Sequence, residues 1–155
     1  MRSLELRIPP VALVLGAAFL MWLAAWALPS MRFAIPAGAA LIIAIAVAIM
    51  GTLVIAAGVI EFRHARTTVN PMNPDAASSL VVKRVYASTR NPMYLGFTML
   101  LLGWAVFLSH PLSFLVVPCF IAYMNRFQIV PEERALEGRF GSEFKVYRSR
   151  VRRWL

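Results

Sequence analysis

The sequence predicts an all-α polytopic membrane protein with four transmembrane helices and a C-terminal interfacial helix. Three observations lead there. First, 60% of the 155 residues are apolar and 15% charged, whereas soluble domains carry about 25% charged residues. Second, uncharged runs extend from Ile8 to Met31, from Phe33 to Ile60 and from Asn91 to Asn125, and about 20 apolar residues suffice to cross a hydrocarbon core. Third, a chain that crosses four times leaves fifteen of its sixteen basic residues on one face, as expected when Lys and Arg collect in cytoplasmic loops.

The first two runs each read as one spanning helix. The first also has the basic start and small residues (Ala25, Ala27) of a cleavable signal peptide, but it is read here as a retained span. The third run, 35 residues long, exceeds one crossing and carries His110-Pro111 near its middle. It reads as a hairpin of helices over Pro92–Ser109 and Leu112–Val130, with Pro118 kinking the second by removing a backbone hydrogen bond. Only Arg32 falls on the outer face, so both termini are expected in the cytoplasm. In a bacterium the membrane would be the inner one.

Composition also excludes functions. One cysteine, Cys119, and two histidines, His64 and His110, leave no disulfide framework, zinc cluster or c-type haem box, and no metal site is expected. The net charge of +9 is explained by the charge asymmetry across the membrane, so no nucleic-acid partner is expected. A transporter would need polar groups near the midplane, and helices one to three show none. A non-enzymatic membrane module remains the rival class.

The chain reads as one domain, residues 1–155, with a helical scaffold over 1–60 and a chemical part over 61–155. In the scaffold, small residues such as Ala40, Ala44 and Ala48 suit close helix contacts in lipid. The loop that follows contains Asn70-Pro71-Met72-Asn73-Pro74-Asp75, a turn-rich stretch long enough to cover a pocket at the membrane surface. Next comes Tyr86-Ala87-Ser88-Thr89-Arg90-Asn91-Pro92-Met93-Tyr94-Leu95-Gly96. Asn91 suits a helix cap and Pro92 a first helical turn. Those roles leave Arg90 at a helix start beside two tyrosines, and Gly96 where a ligand could approach the backbone. Pro131-Glu132-Glu133-Arg134-Ala135-Leu136 stands at the other end of the hairpin. The hairpin brings this acidic pair to the depth of Arg90 and Tyr94.

These linked motifs, with Phe140-Gly141, Tyr147 and a final Val-x-Arg-Trp, resemble the isoprenylcysteine carboxyl methyltransferase and phospholipid methyltransferase superfamily of integral membrane methyltransferases. The resemblance covers about residues 62–155 and implies S-adenosyl-L-methionine as methyl donor. Carried over by motif, it implies donor binding by Leu80, Val81, Tyr86, Asn91, Pro92, Met93, Tyr94, Gly96, Glu132 and Glu133, with Arg90, Tyr94 and Glu132 closest to the chemistry. Asn91 replaces a His of the eukaryotic carboxyl methyltransferases, and Gln128 stands where they place a substrate-contacting Arg. The implied acceptor is lipophilic, an isoprenylcysteine-like carboxylate or a phospholipid amine, met among membrane lipids at the cytosolic surface.

In that setting Tyr86 and Tyr94 offer aromatic faces to the donor's cation. Glu132 is expected at its amino group or ribose, Leu80 near adenine, and Arg90 on its carboxylate or on an anionic acceptor. The apolar spacing Leu136, Phe140, Phe144, Tyr147, Val151, Trp154 predicts an interfacial helix, divided at Gly138 and Gly141, that closes the pocket from water. Phe97, Leu101, Trp104, Phe120 and Tyr123 mark an expected lateral path for a lipid tail between helices three and four.

Overall fold

A computed structural model describes residues 5–66 and 78–155; Arg2 and the turn-rich stretch at residues 70–75 lie outside them. Among the described residues all regular structure is helical: α1 (Pro10–Ala27), α2 (Ala37–His64), α3 (Pro92–Leu108), α4 (Pro111–Tyr123), a π-helical turn (Met124–Ile129) and α5 (Val130–Arg150). Short 3₁₀ turns occupy Pro29–Met31 and Arg84–Ala87. Proline sits in the first turn of α1, α3 and α4, where its missing N–H has no partner to lose.

α1, α2 and the 40-residue run Pro111–Arg150 are each long and apolar enough to span a membrane, while α3 is apolar but shorter at 17 residues. The run is apolar in its first half and charged beyond Pro131. α1 and α2 expose Leu15, Trp26, Ile42 and Leu53. Such surface belongs in lipid rather than water. The chain is a membrane protein.

α3 is the central helix. Its contact with α2 is closed by small residues: a Cβ on Gly96 would stand 2.5 Å from Ile55 Cγ1 and 2.6 Å from Gly51 O, and one on Gly103 would stand 3.0 Å from Ala44 O. On the other side α1 packs on α3 and α4 through Met21 and Ala25. Trp104 Nε1 donates to Ala18 O at 3.0 Å and Ser113 Oγ to Met21 O at 3.4 Å.

Two expectations are corrected. The expected lateral path is filled: Leu101 and Phe120 are buried in the core, and Phe97 and Trp104 pack against it. Pro118 lies inside α4, and the helix passes into the π-helical turn six residues later. The tail helix breaks at Gly141 alone (φ 49°, ψ −117°) and ends at Arg150, leaving Val151 extended.

Candidate active site

A pocket of about 670 Å³, counted to its open mouth, lies where the ends of α2 and α3 and the start of α5 meet the segment from Ser79 to Arg90. Eight of the ten expected donor-binding residues line it, namely Leu80, Val81, Tyr86, Asn91, Met93, Tyr94, Glu132 and Glu133, together with Arg90.

Pro92 and Gly96 do not. Pro92 is buried toward α2, 3.4 Å from where a Cβ on Gly58 would stand. Gly96 admits the backbone of α2, not a ligand, because Gly51 and Ile55 fill the space its side chain would need.

The two motifs meet directly. The Tyr94 hydroxyl donates to Glu132 Oε1, and Gln128 Nε2 donates to the same oxygen at 2.8 Å. Gln128 reaches it from the π-helical turn; such turns are frequent at functional sites. Burial pushes the Glu132 carboxyl up to about 7, opposed by the Tyr94 and Gln128 hydrogen bonds. Its neighbour faces cations instead. Arg153 grips Glu133 with both arms of its guanidinium, Nε to Oε1 at 3.0 Å and Nη2 to Oε2 at 2.7 Å. Arg90 Nη1 also lies 2.8 Å from Glu133 Oε1. It does so out of line, because Nη1 and Nε of Arg90 are buried without a hydrogen-bond partner. Burial depresses the Arg90 pKa, with Glu133 opposing.

Asn91 occupies the N-cap position but its side chain makes no cap bond. Its Nδ2 donates instead to Arg153 O at 2.9 Å. Thr89 Oγ1 donates to the same carbonyl at 3.2 Å, and Arg90 N to Arg152 O at 3.0 Å. Trp154 Nε1 donates to Asn125 Oδ1 at 3.0 Å, and the Tyr147 hydroxyl to Tyr86 O at 2.8 Å. The tail is therefore strapped across the junction that carries Arg90. Tyr86 stands edge-on to Phe62, ring centroids 5.4 Å apart, and its hydroxyl is buried without a partner.

Phe62, Ser79 and Ile129 also line the pocket, and nothing in sequence marks them: an aromatic at a helix end, a loop serine and a core isoleucine are all common. Leu136, Phe144 and Tyr147 line it as well, so this part of the tail forms a wall of the pocket. Among the described residues no cluster of three or more His, Cys, Asp or Glu could hold a metal.

The phospholipid methyltransferase family matches this chain over residues 39–143, a stretch that contains both motifs. An uncharacterized protein of Haemophilus influenzae is 46% identical over 63 residues, 41% of this chain and all of that protein. No solved structure matches. The chain belongs to the phospholipid methyltransferase family, within the integral membrane methyltransferases.

Proposed function

We propose that this family member transfers a methyl group from S-adenosyl-L-methionine to a lipophilic acceptor at the cytosolic membrane surface. The observation that carries the reading is the pocket in which Tyr94 of one motif bonds Glu132 of the other, with Arg90 and Glu133 beside them. The donor supplies an electrophilic methyl on a sulfonium and carries an ammonium and a carboxylate. The residues fit such a ligand. Glu132 matches the ammonium, and Arg90, whose Nε and Nη1 make no hydrogen bond although Nη1 stands at ion-pair distance from Glu133, matches the carboxylate. Tyr86 and Tyr94 offer aromatic faces to the sulfonium, an attraction worth about 0.5–2 kcal/mol. Phe62, Leu80 and Val81 offer an apolar wall to adenine.

The chain's contribution is then orientation and exclusion of water. Holding two reactants in line within about 3–3.5 Å removes much of the entropic barrier. Phe144, Leu136 and Tyr147 keep the pocket apolar on the tail side. Four spans with both termini cytoplasmic, and the charged half of the last run at the interface, would place the pocket at the cytosolic surface. In a Cys119-free protein, a cysteine beside Arg32 should be labelled from outside and one beside Ser142 should not.

The test is methyl transfer from labelled donor to a membrane lipid extract by the purified protein. Base-labile label would mark a methylated carboxylate, and base-stable label in an amine lipid a methylated amine. Failure to bind the donor or its demethylated product would sink the reading.

A further inference from the structure

The tail residue Arg153 lies outside the stretch matched to the family, yet it makes the most complete ion pair at the pocket. Its guanidinium meets both oxygens of Glu133 at 3.0 and 2.7 Å, the bidentate geometry that is strongest for this pair. Its carbonyl accepts hydrogen bonds from Thr89 and Asn91, the residues on either side of Arg90. Arg90 is buried against the same carboxylate, its side chain 11% exposed and that of Glu133 12%. Even so, its Nε and Nη1 make no hydrogen bond.

Buried charged donors without partners are costly, and here a carboxylate lies within reach. Freed from Arg153, Glu133 could turn and form the same two-armed pair with Arg90, a residue that lines the pocket, and so consume the donors now without hydrogen bonds. The competition for Glu133 therefore decides whether Arg90 is open to a ligand.

We infer that Arg153 is a positioning residue for donor binding: by holding Glu133 it keeps the Arg90 guanidinium available for the carboxylate of the donor's amino-acid moiety. This rests on the donor reading above and deepens it. Arg153 itself meets Glu133 and the backbone of the junction; its effect on the ligand passes through Arg90.

The experiment compares two ligands by equilibrium dialysis on the full-length protein in detergent or nanodiscs. S-adenosylhomocysteine carries the carboxylate; 5′-methylthioadenosine keeps the nucleoside and thioether and lacks the amino-acid part. Arg153→Ala should weaken S-adenosylhomocysteine about tenfold or more, the scale of a charged hydrogen bond, and leave 5′-methylthioadenosine within about twofold. Arg153→Lys, a point charge without the fork, should fall between. In an Arg90→Ala background, Arg153→Ala should cost nothing further, since a residue acting only through Arg90 is non-additive with it. Equal loss for both ligands, or additive loss in the double variant, would mark Arg153 as a structural strap and overturn the inference. Unchanged S-adenosylhomocysteine affinity would overturn it too. Wild-type protein that bound neither ligand would sink the donor reading itself, an outcome distinct from these.

Discussion

The two ends of α3's environment are built on opposite principles. Where α3 meets α2, Gly96 and Gly103 face Gly51 and Ala44, and the backbones touch because side chains are missing. Where the start of α3 meets α5 and the tail, four ionisable side chains, Arg90, Glu132, Glu133 and Arg153, are crowded together with Tyr94 and Gln128. In lipid, close backbone packing holds helices together without polar groups. Polar groups left without partners are a cost that a ligand can relieve. The seam therefore fixes position, and the crowded end holds the Nε and Nη1 of Arg90 and the Tyr86 hydroxyl without hydrogen-bond partners.

The largest effect should come from breaking the crowded end. Glu132→Gln removes a buried charged acceptor, so affinity for S-adenosylhomocysteine should fall about 10- to 150-fold, the equivalent of about 1.5–3 kcal/mol. The thermal midpoint in detergent should change little, because the seam is untouched. Glu137 pairs with Arg148 at 3.0 Å and Lys145 at 3.6 Å on the partly exposed side of α5. Glu137→Gln should change binding less than twofold, since exposed pairs contribute only about 0–1 kcal/mol. Equal effects would show the acidic pair to be a solvated helix end.

Breaking the seam should do the reverse. A Cβ at Gly96 would stand 2.5 Å from Ile55 Cγ1 and 2.6 Å from a backbone oxygen, and backbone cannot yield as a flexible side chain does. Gly96→Val should cost about 1–3 kcal/mol as overpacking, read as a lower unfolding midpoint. The protein that remains folded should bind S-adenosylhomocysteine nearly as wild type. A binding defect without a stability defect would return Gly96 to the ligand, as the sequence alone suggests.

That contrast shows what sequence can carry. Tyr86, Arg90, Asn91, Met93 and Tyr94 share one short motif, whose resemblance to the family implies a common site, and the hairpin brings Glu132 and Glu133 to it. Gly96 belongs to the same motif and faces the other way, because in a helix its neighbours in space are four residues away, not adjacent in sequence. The strap is unreadable for a different reason. Thr89 and Asn91 bond a carbonyl more than 60 residues away, and a backbone acceptor leaves no trace in residue identity. The π-helical turn that presents Gln128, with Met124 and Ile129 fully buried in it, is likewise not marked by the identity of its residues.

A smaller effect should sharpen the account of the crowded end. Burial raises Glu132 to about 7, and the donor's ammonium needs the ionised form. Affinity should therefore rise with pH up to about 7 and level off above. Below that value it should fall by at most about tenfold per pH unit, since one proton is involved. Glu132→Gln should flatten the profile. A wild-type profile already flat between pH 5.5 and 8 would mean that Glu132 does not meet the ammonium.

The smallest effects separate two glycines that sequence treats alike. Gly138 lies inside α5 with nothing within 4 Å of where a Cβ would stand and no positive φ, whereas Gly141 has φ 49° and ψ −117°, also with open space around it. Space therefore cannot distinguish them; backbone conformation does. Glycine inside a helix costs about 0.5–1 kcal/mol relative to alanine, so Gly138→Ala should stabilise by about that amount, read in the unfolding midpoint. At Gly141 the backbone occupies a region side chains avoid, and Gly141→Ala should destabilise by about 1–3 kcal/mol or straighten the helix. Straightening would swing Phe144 and Tyr147 away from the pocket, so the second variant should also weaken donor binding while the first leaves it intact. If both substitutions stabilise and neither affects binding, the bend at Gly141 is not what brings the tail to the site, and the pocket wall formed by Phe144 must be held by the strap alone.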